Sequence, residues 1–195
     1  TTDVVIAGGA EAPLAPLPMA SFNRMKALAE ATTDPDKASR PFDTDRNGFV
    51  LGEGAGYLIV ADHTTATTLG LPILAQLTGW AVTSDAHHIT APDPDGTGAQ
   101  RCITTALHRA RLNPADITHI NAHGTGTRLN DAAEAAAYTT IFGPHATPVT
   151  SAKGAIGHLM GAAGAVETAL SVQALQHGVI PPTTNCDNPD PSLTL

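Results

Sequence analysis

One segment, residues 151–167, SAKGAIGHLMGAAGAVE, constrains the fold more than any other. Most of it is Gly, Ala and larger apolar side chains, and the apolar character runs on past it. A helix of this composition has no polar face to turn toward water, so it suits a tightly buried position. The rest of the chain has the same bias: 42% of the 195 residues are apolar and only 4% aromatic, with 18 glycines. Small side chains in a core imply close backbone packing, as in layered α/β proteins. Yet this dry segment carries Lys153, His158 and Glu167. Burial disfavours each charge unless a partner is present. The run over 159–175 is short for a bilayer and contains Glu167 and Gln173, which argues against a membrane span.

Around it, apolar runs alternate with amphipathic stretches. Residues 3–10, DVVIAGGA, are predicted as a buried strand. A Pro-rich loop over 13–18 precedes a helix over 19–31, in which Met19, Phe22, Met25 and Leu28 share a face. Residues 32–47 form a polar surface loop, and GFVLGEGAGYLIVAD, 48–62, reads as a strand pair or one bent strand. A strand over 74–82 leads into a long loop, SDAHHITAPDPDGTG, 84–98, and such loops in compact domains tend to be functional. An amphipathic helix over 99–112, a strand over 117–122 and a helix over 130–142, stopped by Gly143-Pro144, come next. A short strand over 149–151, the apolar helix over 158–176 closed by Gly178, and an extended Pro-rich tail complete the chain. This alternation predicts an α/β fold with a largely buried sheet.

A net charge of −8 without a basic cluster argues against nucleic acid as a partner. Cys102 and Cys186 lie far apart with no CxxC, which fits a reducing, cytoplasmic setting better than a disulfide framework. Gly52-Glu-Gly-Ala-Gly56 lacks dinucleotide-binding spacing and precedes a strand-like run where a helix is needed. His87, His88, His119 and His123 invite a metal-hydrolase reading, but there is no HExxH and no paired ligand spacing, so no metal site is expected.

His123 directly follows an apolar strand, in NAHGTGT, and reactive groups gather beyond the carboxyl ends of strands in α/β sheets. His158 and Glu167 are nine residues apart, on opposite sides of an ideal helix. Lys153, on a loop before that helix, can reach Glu167 while His158 faces elsewhere. Two imidazole N–H donors converging on one small site suit an oxygen that gains negative charge in a transition state. A nearby lysine lowers a histidine's pKa and keeps it neutral.

RPFDTDRNGFVLGEGAG, HINAHGTGTRLNDAAE and SAKGAIGHLMGAAGAVE, together with SDAHHITAPDPDG and NCDNPDP, resemble the β-ketoacyl-acyl-carrier-protein synthases, condensing enzymes of the thiolase superfamily. The resemblance runs over the whole chain and in the family's order. It implies a thiolase-like layered fold, α-β-α-β-α. Residues 1–62 would end the N-terminal half, and residues 63–195 would supply most of the C-terminal half, truncated before the final strands. By the same resemblance His123 and His158 match the catalytic histidines, Lys153 the motif lysine and Glu167 its carboxylate partner. Asp131 and Glu134 match acidic residues that organise the site through hydrogen bonds or a bound monovalent cation. Thr125 and Thr127 match threonines that bind the phosphopantetheine arm of an acyl carrier protein. His88 and Thr90 fall near that tunnel, and Phe22 falls at the acyl pocket. The implied reaction is decarboxylative Claisen condensation in fatty acid or polyketide biosynthesis, with no further cofactor, by a homodimer or a heterodimer with a synthase-like partner.

The family nucleophile is a cysteine in a strand-to-helix elbow upstream of a GGAE-type segment, and here GGAEA lies near the start. Cys102, in an amphipathic helix, and Cys186, in the Pro-rich tail, match nothing of that kind. The expectation is therefore an internal fragment of a synthase about twice as long. Such a fragment is expected to be inactive by itself and to expose strand edges and apolar helix surface. The rival is a non-catalytic homologue of the chain-length-factor type.

Overall fold

The computed structural model describes residues 3–30 and 32–195. Strands β1 (Val4–Glu11) and β2 (Gly54–Ala61) pair antiparallel, with Val4 opposite Ala61 and Glu11 opposite Gly54. The stretch ahead of β2 is extended but makes only isolated bridges, Phe49 to Leu28 and Leu51 to His158. Helix α1 (Pro16–Arg24) begins inside the predicted Pro-rich loop, because proline suits a first turn whose N–H groups lack intrahelical acceptors. It ends well before position 31: Lys26 has φ +53, and Leu28 bridges Phe49 instead of joining a helical face. Ala31, the predicted helix end, lies outside the described residues. Helix α2 (His63–Thr68) was not foreseen; the Asp62 carboxylate accepts from Thr64 and Thr65 N–H at 2.9 and 3.2 Å and so caps it.

Residues 74–82 are not a strand, because among the described residues no neighbour completes their backbone hydrogen bonds. An apolar groove of about 370 Å³, lined in part by Thr78, Gly79, Ile117 and Ile120, holds them off the next strand. Side chains take their carbonyls instead: Gln176 bonds Leu74 O at 2.5 Å, Arg109 bonds Trp80 O at 2.8 Å, and the Cys102 thiol bonds Ala81 O at 3.3 Å.

Helix α3 (Thr97–Ala110) packs on α4 (Arg128–Phe142). Beneath α4 lie two short parallel strands, β3 (Ile120–Asn121) and β4 (Val149–Thr150). Their core unites Phe42, Ala122, Ala135, Tyr138 and Leu193. The single turn α5 (Lys153–Ile156) and a 3-10 turn, Met160–Ala162, precede α6 (Ala163–His177).

Helix α6 corrects the expected tight burial of the all-round apolar sequence: only its first residue, Ala163, is buried, and Leu170 and Leu175 are 40% and 68% exposed. It packs on the β1–β2 sheet on one side. On the other it meets β3, where the Asn121 amide bonds Glu167 O and the Ser171 hydroxyl, each at 3.2 Å. No helix among the described residues is long and apolar enough to cross a membrane. The predicted largely buried sheet is a correction: β1–β2 is covered on one face only. Ile6, Tyr57 and Ile59 remain 73%, 62% and 75% exposed, since no described element lies over them.

Candidate active site

His123 is fixed through its backbone. The chain leaves β3, turns at His123 and passes through Gly124–Thr127 into α4. One α4 side chain, Glu134, reaches back to this turn. It accepts from His123 N–H at 2.8 Å, Gly124 N–H at 2.6 Å, the Asn130 amide at 2.8 Å and the Tyr138 hydroxyl at 2.6 Å. The His123 carbonyl accepts from Lys153 Nζ at 2.6 Å. Both peptide groups of the residue are therefore held by charged side chains, and the ring is aimed by them.

His158 does not begin a helix, contrary to the predicted span 158–176. Gly157, at φ +72, ends α5. His158 then lies extended along the segment ahead of β2: its N–H donates to Val50 O at 2.7 Å and its carbonyl accepts from Gly52 N–H at 3.0 Å. These are strand-type bonds, and they compete successfully with helix formation. The ring Nδ1 accepts from Met160 N–H at 3.1 Å. That contact requires Nδ1 to be bare, so the neutral ring carries its proton on Nε2.

The imidazoles of His123 and His158 lie 5.1 Å apart, centroid to centroid, with planes at 85°. Phe49 packs edge-on against His158 at 5.2 Å, and Phe22 against Phe49 at 5.4 Å. His158 is pushed down to about 4, by burial first and then by the positive charge of Lys153 and by His123. His123 is also lowered, first by the loss of water around the buried part of its ring and then by Lys153, while Glu134 and Glu167 oppose the effect. One side of His123 stays open to solvent, so the pocket is not enclosed by the described residues.

Lys153 is 1% exposed and bonds Glu167 Oε1 at 2.5 Å, so the predicted pairing is present. Burying that ammonium depends on its two oxygen partners. Asp131 is wholly buried; it accepts from Phe42 N–H at 2.9 Å, Gly126 N–H at 3.2 Å and the Asn130 amide, and lies 3.6 Å from Arg46 Nε. Burial raises its pKa. The oxygens of Asp131 and Glu134 are thus taken up by N–H and O–H donors and do not fit a bound cation. Among the described residues no group of three or more His, Cys, Asp or Glu is arranged around a metal, and His119 instead meets the Thr150 hydroxyl at 2.8 Å.

Thr125 and Thr127 share a hydroxyl contact at 2.9 Å, and Thr127 caps α4 through Asn130 N–H. His88 and Thr90 sit on the exposed loop, where His88 Nδ1 accepts from Thr90 and Ala91 N–H; neither hydrogen-bonds to the histidine pair. Both cysteines are free. Cys186 lies against the Phe42 core, where burial and Asp43 push its thiol up to about 11, and Cys102 bonds a carbonyl. Among the described residues neither thiol has a histidine or other base as a hydrogen-bond partner that could activate it. The sequence reading missed Phe49, Ser39, Ser151 and Asn185. Ser151 stands two residues before the lysine in SAKG, Phe49 lies within RPFDTDRNGFVLGEGAG and Asn185 opens NCDNPDP, so the quoted motifs held all three, whereas nothing local marks Ser39.

Residues 1–66 match the model of the β-ketoacyl synthase N-terminal domain and residues 74–187 that of its C-terminal domain. The mitochondrial 3-oxoacyl-[acyl-carrier-protein] synthase of Arabidopsis thaliana is 48% identical over 194 residues, 97% of this chain and 42% of that protein. A type II polyketide ketosynthase solved with its acyl-carrier protein superposes with a TM-score of 0.96 at 35% identity, over all of this chain and 48% of that one. The ishigamide ketosynthase/chain length factor does so at 0.90 and 38%, over all of this chain and 46% of that one. The chain therefore spans less than half the length of each of these relatives.

Proposed function

The chain belongs to the β-ketoacyl synthase family, and from that premise we propose that the protein built on it catalyses decarboxylative Claisen condensation in fatty acid or polyketide biosynthesis. An acyl group is carried on a cysteine outside these 195 residues. A malonyl group on the phosphopantetheine of an acyl carrier protein loses carbon dioxide, and the electron pair of the broken C–C bond becomes an enolate. The enolate carbon attacks the acyl thioester, a C–C bond forms and the cysteine leaves as thiolate.

The observation that carries this reading is the neutral imidazole pair. His158 has its proton on Nε2, and a second ring stands 5.1 Å away, so both can donate to one thioester oxygen as it becomes anionic. Burial, aided by the charge of Lys153, keeps His158 neutral, and Lys153 with Glu134 aims His123. Asp131 fixes the turn after it through Gly126. In the same reading Thr125, Thr127, His88 and Thr90 meet the pantetheine arm, and Phe22 borders the acyl pocket. The partners are an acyl carrier protein and a second synthase-like subunit, as in the solved relatives. Two free cysteines support a reducing, cytoplasmic setting; since the Arabidopsis relative is mitochondrial, cell fractionation is the check.

In the full-length protein, His158→Ala is expected to lower malonyl decarboxylation by about 10²–10³-fold, equivalent to roughly 3–4 kcal/mol. Undiminished turnover would refute the role. That neither cysteine among the described residues has a base beside it also suits a chain-length-factor-type subunit. Radiolabelled acyl transfer discriminates, because label retained on this protein supports the synthase and label only on a partner supports the other.

A further inference from the structure

The tail after α6 does more than run along the surface. Ser151 N–H donates to Thr183 Oγ1 at 3.0 Å, and the Thr184 backbone lies against Gly154. Asn185, held at φ +65, donates its amide to Asp36 O at 2.8 Å, Ser39 O at 2.9 Å and Gly154 O at 3.5 Å. Ser39, itself buried, donates its hydroxyl to Lys153 O at 2.5 Å. Three neighbouring residues of the tail thus brace the turn that carries Lys153, on both sides of that lysine. Among the described residues its ammonium bonds Glu167 and the His123 carbonyl, so its position depends on where the turn sits.

We propose that Asn185 is a positioning residue that sets the Lys153 ammonium relative to the histidine pair, acting through Ser39 and Gly154. The left-handed backbone explains why a small amide occupies the position, since Asn tolerates that conformation. The amide explains the function: its two N–H groups take Asp36 O and Ser39 O of one segment with Gly154 O of the lysine's own turn within reach, and a carboxylate there would repel all three carbonyls. The proposal rests on the reading of His123 and His158 as the enolate-binding pair.

The test uses the full-length protein with Asn185→Gly, which keeps the backbone conformation, and Asn185→Asp, which keeps the shape but reverses the hydrogen-bonding sense. His158 is followed by NMR titration of its ring. The titratable and charged groups acting on it are Lys153 of α5 and His123 beyond β3; Glu134 of α4 and Glu167 of α6 act on His123. A displaced ammonium repels the imidazolium less, so both variants are expected to titrate His158 higher by about half a pH unit or more. Malonyl decarboxylation should fall about tenfold in kcat with KM nearly unchanged. Ser39→Ala, which removes only the hydroxyl on Lys153 O, should move the titration in the same direction and serves if an Asn185 variant fails to fold. A His158 midpoint unchanged in folded variants overturns the proposal, even if thermal stability falls. The titration needs no activity, so a moved midpoint in a protein that never decarboxylates malonyl thioesters sustains the positioning role and sinks the catalytic reading alone.

Discussion

The two histidines reach one site by different means. His123 is aimed by charged partners on both of its peptide groups, whereas His158 is aimed by strand-type bonds to Val50 and Gly52. Truncating Glu134 to Ala leaves two backbone donors and the Tyr138 hydroxyl without their acceptor. It should destabilise the full-length protein by about 1–3 kcal/mol in urea denaturation, with a loss of decarboxylation. The depressed pKa of His158 has a definite sign in stability. Between the ordinary histidine value, 6.5, and the folded value, about 4, the unfolded chain binds a proton that the folded site refuses. Stability contributed by this site is therefore complete above the upper value and is lost as pH falls toward the lower one. An NMR titration of His158 with a midpoint near 4 would bear this out, and one near 6.5 would contradict it.

Among the elements, α6 joins the scaffold to the chemistry. Its Val166 lies against Gly56 of β2, and the next residue, Glu167, holds Lys153. A β-carbon at Gly56 would fall 2.9 Å from both Val166 N and Val166 Cγ2, closer than packed atoms allow. Gly56→Ala should therefore push α6 outward, costing about 1–3 kcal/mol as overpacking does, and should reduce decarboxylation by loosening Glu167. A urea midpoint and a rate equal to those of the parent would show that the helix shifts freely. The same element shows why sequence periodicity misplaced a boundary. Residues 158–176 read as one apolar helix, yet His158 is held extended against Leu51, Met160 has φ +46, and α6 starts only at Ala163. The bonds that end the helix come from residues more than a hundred positions away.

At the scale of the whole molecule, the described chain leaves much apolar surface open. Ile6, Tyr57 and Ile59 line the outer face of β1–β2, and Leu77 and Val82, within residues 74–82, are 79% and 84% exposed. Expressed alone, these 195 residues are expected to bind an apolar dye and to self-associate in gel filtration; a dye-silent monomer would show that these faces are tolerated in water. The sequence by itself carried the fold class and pointed to a site. Alternating runs implied α/β, and titratable groups in a Gly- and Ala-rich segment implied a site, because composition and local period are properties of short stretches of chain; the burial expected of a helix without a polar face did not follow, since Leu170 and Leu175 of α6 are 40% and 68% exposed. Only the tertiary structure decided that α6 lies between two sheets, that the two rings stand 5.1 Å apart, that 74–82 has no strand partner, and that Ser39, Phe49 and Asn185 serve the site. Each of those facts rests on a contact between distant segments, and no local pattern of residues encodes which distant backbone will satisfy a given carbonyl or shield a given ring.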